Sequence, residues 1–148
     1  MSSTHLSLHY HVIFSTKHRK PLMLAEWRPR LFEFLGGIIR TAGGIPEAIG
    51  GTEDHVHLLI GLRATHQLSD VMRELKSSSS KWVHETLGAR GFGWQDGYGA
   101  FTVSASLRDV VKDYITRQEE HHRKQDSLSE YIELLKKSGV PYDPKFVE

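Results

Sequence analysis

The chain has 148 residues, 39% of them hydrophobic, no cysteine, and a formal net charge of +1 at pH 7. These bounds predict a single domain over residues 1–148, exclude disulfides, Cys-ligated zinc and a thiol nucleophile, and leave any nucleic-acid binding to local basic patches. No apolar run is long enough to span a membrane, and the start Met1-Ser2-Ser3-Thr4-His5 lacks the basic and apolar regions of a signal peptide, so a soluble, cytoplasmic protein is expected.

Residues 6–15 alternate as a half-buried strand, with Leu6, Leu8, Tyr10, Val12 and Phe14 on one side and His9 and His11 on the other. The strand ends in the basic cluster Lys17-His18-Arg19-Lys20 before Pro21, either a solvated loop or a phosphate-contacting patch. From Leu24 to Ala42 the positions Leu31, Phe34, Leu35, Ile38 and Ile39 follow helical spacing, with Pro29 suited to a first turn and Gly43-Gly44 to a stop. A short strand over 46–50, a turn through Gly50-Gly51-Thr52-Glu53-Asp54 and a strand over 55–62 follow.

On that last strand His55 and His57 share one face, while Val56, Leu58 and Ile60 share the other. Cβ atoms two residues apart on a strand lie roughly 6.5–7 Å apart, so both rings can reach one divalent ion. His9 and His11 have the same spacing and compete as a ligand pair; with ten histidines in the chain, chance pairs are common.

A helix over 67–87 carries Arg73, Lys76 and Lys81 beside Ser77–Ser80, a surface compatible with a phosphate backbone. Residues 88–99 form a glycine-rich loop in which Trp94 and Tyr98 either stack on unpaired bases or anchor the loop to the core. Ala100–Ser104 reads as the last strand. A helix over 107–124 presents Leu107, Val110, Val111, Tyr114, Ile115 and Gln118 as one stripe, extended by His121 and His122. A second helix begins at Ser127, whose spacing to Glu130 makes a capping box, and runs to Gly139. The order strand, helix, strand, strand, helix, strand predicts an α+β fold, a ferredoxin-like βαββαβ antiparallel sheet with two added C-terminal helices and with the first and third strands central.

Tyr114 and Gln118 lie one turn apart on one helix face. A phenol oxygen can attack phosphorus where a divalent ion polarises the phosphate, and the neutral amide oxygen of Gln118 is a hard ligand that suits Mg²⁺ or Mn²⁺ beside imidazoles. His55-Val56-His57-Leu58-Leu59-Ile60, the stretch from Phe92 to Phe101, and Tyr114-Ile115 with Gln118 and His121-His122 together resemble the TnpA-type single-tyrosine HUH transposases of small bacterial insertion sequences. The similarity runs over nearly the whole chain, including Phe14-Ser15-Thr16-Lys17 and Tyr142-Asp143-Pro144.

The resemblance implies that His55, His57 and Gln118 hold Mg²⁺ or Mn²⁺ and that Tyr114 is the nucleophile; it leaves His9 and His11 to strand packing or proximity to DNA. It further implies cutting and rejoining of single-stranded DNA through a 5′-phosphotyrosine link, recognition of subterminal hairpins, and a homodimer with the tyrosine acting in trans. Lys17, Arg19, Lys20, Arg73, Lys76 and Lys81 are the candidate DNA contacts. The rival readings are an HUH replication or mobilisation nickase, a metal-free ferredoxin-like nucleic-acid-binding module that stacks bases on its sheet, and a His-ligated zinc hydrolase.

Overall fold

A computed structural model describes residues 3–122 and 125–147. Strands β1 (His9–Ser15), β2 (Ile45–Gly51), β3 (His55–Gly61) and β4 (Gly99–Val103) form one antiparallel sheet in the order β2-β3-β1-β4. Helices α1 (Arg28–Thr41) and α2 (Leu68–Thr86) pack on one face, and α3 (Arg108–Thr116), α4 (Gln118–His121) and α5 (Ser127–Lys137) follow β4. This is the expected α+β, ferredoxin-like βαββαβ order, with β1 and β3 at the centre.

The pleat divides the central strands between two environments. Val12, Phe14, Val56, Leu58 and Ile60 point into the main core beneath Leu31, Leu35 and Ile39 of α1 and Val71, Met72 and Leu75 of α2. On the opposite face Leu59 joins Ala48, Val103 and Ile115 in a smaller cluster under α3. Ile13 pairs with His57 and Ser15 with His55, so the histidines stand at the end of β1 that leads into the basic cluster.

The serine run in α2 is tolerated because Ser79 is buried with its hydroxyl satisfied: Oγ donates to the Leu75 carbonyl at 2.5 Å and accepts from Trp94 Nε1 at 2.9 Å. Trp94 also meets Phe14 edge-on at 4.7 Å, so this aromatic anchors the glycine-rich loop to the core.

Four expectations are corrected. The ladder of β1 begins at His9, three residues after the start of the alternating pattern. The helix expected over 107–124 is divided at Arg117, which has φ −104° and ψ 25°; residues 123–124 of that expectation lie outside the described residues. Two local causes meet at the break: Thr116 Oγ1 donates back to the Asp113 carbonyl at 3.0 Å, and the Ile115 carbonyl presses against Gly50. Leu107 and Val110 are 53% and 65% exposed rather than part of a buried stripe. The capping box at Ser127 is not formed either, because Asp126 is the cap, accepting from Ser129 N at 2.7 Å, and this frees the Glu130 side chain to turn inward.

Gly50 sets how closely α3 approaches the sheet. A Cβ at this position would lie 2.1 Å from the Ile115 carbonyl oxygen, a backbone atom that cannot rotate away. Gly50→Ala is therefore expected to lower stability by about 1–3 kcal/mol in urea melts. Gly37→Ala, on a helix position with nothing within 4 Å, is expected to raise it by about 0.5–1 kcal/mol.

Candidate active site

His55 and His57 are both fully buried on β3. The turn before the strand orients the first of them. His55 Nδ1 donates to Asp54 Oδ1 at 2.9 Å with Thr52 Oγ1 at 3.0 Å, which fixes the ring and turns Nε2 toward α4. That Nε2 lies 2.9 Å from Gln118 Oε1. The amide is oriented by its own nitrogen, which donates to the Tyr114 carbonyl at 3.3 Å. His122 is held in the same way: Nδ1 donates to the Gln125 carbonyl, and Nε2 faces Gln118 Oε1 at 3.0 Å and Glu130 Oε1 at 3.2 Å.

His57 lies between two groups that motif reading did not join to it. Its Nε2 is 2.8 Å from Glu130 Oε1, and its Nδ1 is 2.7 Å from Nε2 of His11, whose ring stacks on it at 5.0 Å. His9 turns away to donate to Glu47 at 2.9 Å, so His9 and His11 do not converge on a common point. Tyr114 donates its hydroxyl to Glu130 Oε2, and its ring stands edge-on to His57 at 5.8 Å.

The structure thus brings together His55, His57, Tyr114 and Gln118 and adds His11, His122 and Glu130. The available signal for Glu130 was its place beside Tyr131, Leu134 and Leu135 on the inward side of α5, where a carboxylate is out of keeping with its neighbours.

The donor set fits a divalent cation. Gln118 Oε1 and Glu130 Oε1 are acceptors, and His55 and His122 have engaged Nδ1 elsewhere, so Nε2 of each is aimed at these oxygens, and an ion bound there would take the place of the imidazole protons that Glu130 accepts in the metal-free protein. Neighbouring atoms of this set, with His57 Nε2, approach to between 2.8 and 3.6 Å, and the ligand atoms of His55, His57, His122 and Glu130 all lie within 4.8 Å of one another. A shell of N and O ligands at ordinary bond lengths has edges of about 3 Å.

Burial shapes the charges. The carboxyl of Glu130 would be pushed up by burial alone, but hydrogen bonds from His122, His57 and Tyr114 hold it well below the usual carboxylate range. Burial, reinforced by the Glu130 hydrogen bond and charge, pushes the Tyr114 phenol up. His57 and His11 are lowered to about 4 and about 3, in both cases first by burial.

Among the basic candidates, Lys17, Lys20, Arg73 and Lys81 are exposed. Lys76 reaches the carbonyls of Asp96 and Gly97, at 3.0 and 2.9 Å, beside a groove shared with Arg73 and Tyr98. Arg19 is turned inward, donating to Ser127 Oγ at 2.9 Å and lying over the Tyr131 ring.

A four-stranded sheet of this topology carries the histidines, the glutamine and the tyrosine together beneath its C-terminal helices, and sequence comparison supplies the class of protein. Residues 4–118 match the family model described as transposase IS200 like, and the chain belongs to that family of DNA-cutting and strand-transferring enzymes. It is similar to the ISDra2 transposase TnpA of Deinococcus radiodurans, 27% identical over 117 residues that cover 75% of this chain and 84% of that protein. It is also similar to the transposase for insertion sequence element IS200 of Salmonella typhimurium, 25% identical over 135 residues covering 87% and 88% of the two chains.

Among solved structures, one described as a Deinococcus radiodurans transposase shares 27% identity at a TM-score of 0.64, covering 78% of this chain and 93% of its own. A REP-associated tyrosine transposase bound to a REP hairpin shares the fold, with a TM-score of 0.56 at 16% identity over 78% of this chain and 70% of that one. The family match ends at Gln118, so His122 and Glu130 lie past it.

The metal-free protein is expected to lose stability on acidification from pH 6.5 toward 4. His11 and His57 stay neutral in the fold while the unfolded chain takes up protons near pH 6.5, so unfolding binds protons through this window. Each ring contributes at most about 1.4 kcal/mol per pH unit. Glu130 acts in the same direction only below its ordinary 4.5, and the raised His122 loses its contribution above pH 6.5, outside the window. Urea midpoints measured across this range should fall less steeply for His11→Asn, which removes one of the two titrating rings.

Proposed function

We propose that this transposase cuts and rejoins single-stranded DNA at insertion-sequence ends, with Tyr114 as nucleophile and with His55, His57 and Gln118 holding Mg²⁺ or Mn²⁺. The observation that carries this reading is the meeting of the Tyr114 hydroxyl with the histidine cluster through one carboxylate, Glu130. A divalent ion bound there supplies charge neutralisation and polarisation of the scissile phosphate. Tyr114 Oη attacks phosphorus as its proton passes to solvent by way of Glu130 Oε2, the bond from phosphorus to the 3′ oxygen breaks, and the 3′ oxygen takes a proton from solvent and leaves as a hydroxyl. The product is a 5′-phosphotyrosine link, which a 3′-hydroxyl later attacks to rejoin strands.

Before attack the phenol is kept protonated by burial and by Glu130, with its proton directed at Glu130 Oε2. Asp54 and His11 orient the two imidazoles from behind. Lys17 and Lys20, just beyond the end of β1 that pairs with His55, meet the strand entering the site, and Arg73, Lys76 and Lys81 extend the contact along α2. Arg19 contributes from its place against α5. A module that stacks bases on its sheet is disfavoured because α3 covers the second face over Leu59 and Ala48.

The same reading includes subterminal hairpins as substrate and a homodimer in which α3 serves the partner's histidines. Within one chain Tyr114 lies beside its own His57, and an exchanged element preserves each contact while changing the chain that supplies it. The exposed Leu107 and Val110, at the start of α3, support a second copy at this edge.

Tyr114→Phe is expected to fold and bind single-stranded DNA but to form no covalent adduct with a labelled oligonucleotide on a denaturing gel. His57→Ala should reduce cleavage by more than about a hundredfold, as should chelation in the parent, with Mg²⁺ or Mn²⁺ restoring the parent alone. Mixing the two variants separates the trans arrangement from the rest. Heterodimers that regain cleavage support exchange, whereas heterodimers without cleavage assign Tyr114 to its own chain and leave the nucleophile and ligands as proposed.

A further inference from the structure

Glu130 projects from the first turn of α5 into the histidine cluster, where its side chain is 3% exposed. Among the described residues its ion-pair partners are all imidazoles: His57 at 2.8 Å, His122 at 3.2 Å, His121 at 3.4 Å and His55 at 3.6 Å. The two carboxylate oxygens have separate surroundings. Oε2 accepts from the Tyr114 hydroxyl and faces His121. Oε1 lies where Nε2 of His55, His57 and His122 converge with Gln118 Oε1 close by. A carboxylate acting only as the counter-charge of one histidine needs neither the second and third imidazole nor the neutral amide oxygen. Three imidazole nitrogens and an amide oxygen gathered about one carboxylate oxygen supply the ligand atoms of a divalent-ion shell once an ion displaces the imidazole protons.

Resting on the reading that the histidine pair and Gln118 hold a divalent ion, we infer that Glu130 is a further protein ligand of that ion, delivered by α5. The ligand set then combines imidazoles, an amide oxygen and a carboxylate, and the one anionic member favours hard Mg²⁺ or Mn²⁺ and strengthens their hold. An octahedral ion has about six positions, so four protein donors still leave room for a phosphate oxygen and a water. The assignment also gives α5 a task. One carboxylate joins the ion, through Oε1, to the attacking hydroxyl, through Oε2, so α5 seats the nucleophile and the metal relative to each other. Glu130 and Tyr114 both follow β4, so an exchanged α3 with α5 following it would bring them to the same site together.

The test is Mn²⁺ binding to the full chain without DNA, read by calorimetry or by loss of the free-ion electron paramagnetic resonance signal. Glu130→Gln keeps the shape but removes the charge and one of the two accepting oxygens, and metal-free melting curves check that it folds. Its Mn²⁺ dissociation constant is expected to rise at least about tenfold, and that of Glu130→Ala at least as much. In the parent, Mn²⁺ is expected to slow amide hydrogen exchange across 127–137, because the ion ties α5 to the sheet. Mn²⁺ binding by Glu130→Gln within about twofold of the parent overturns the inference. Exchange in α5 that is unmoved by Mn²⁺ overturns it without recourse to a variant. His57→Ala separates the two levels: a parent that binds Mn²⁺, a His57→Ala chain that does not and a Glu130→Gln chain that does remove Glu130 alone. A parent that binds no Mn²⁺ removes the metal site itself.

Discussion

The alternation of side chains along β3 is the constraint on which the site depends. A central strand buried on both faces must supply apolar groups to one side and satisfied polar groups to the other, because an unpaired polar atom at this depth is costly. Val56, Leu58 and Ile60 meet the first demand. His55 and His57 meet the second through partners on other elements: Asp54 and Gln118 for one ring, His11 and Glu130 for the other. A slip of one residue in the pairing of β3 would exchange the two sets and lose core and site together.

Burial then decides the protonation of the cluster. Water is excluded, so the imidazoles of His11 and His57 favour their neutral forms and the phenol of Tyr114 keeps its proton. Glu130 departs from this pattern because three donors converge on it. The result is a pocket of imidazole nitrogens and amide and carboxylate oxygens with one fixed negative charge, a set of ligand atoms suited to a hard cation.

The break between α3 and α4 separates two tasks that a continuous helix would have tied to one face. Tyr114, before the break, points at Glu130, while Gln118, after it, points at His55. Gly50 allows the Ile115 backbone to rest directly on β2, which holds both side chains over the strand that carries the histidines. At the other end of α3, Arg108 pairs with Glu47, which also accepts from His9, so the second conspicuous histidine of β1 serves in docking this helix.

The topology, the place of His55 and His57 on one face, and the spacing of Tyr114 and Gln118 were legible in the sequence because each rests on local periodicity, which the backbone imposes whatever surrounds it. The family resemblance rested on the same short-range patterns. The role of Glu130 could not be read this way. Its spacing from Ser127 also suits a capping box, and only the arrival of α5 against the sheet, with Asp126 taking the cap, turns the carboxylate inward. His9 and His11 have identical spacing on β1 and were indistinguishable until cross-strand register set His11 diagonally behind His57 and helix docking gave His9 to Glu47. The helix break at Arg117 and the inward turn of Arg19 onto Ser127 were likewise decided by distant partners. Local pattern determines which face of an element a residue occupies, whereas the group it meets there depends on contacts between elements far apart in the chain.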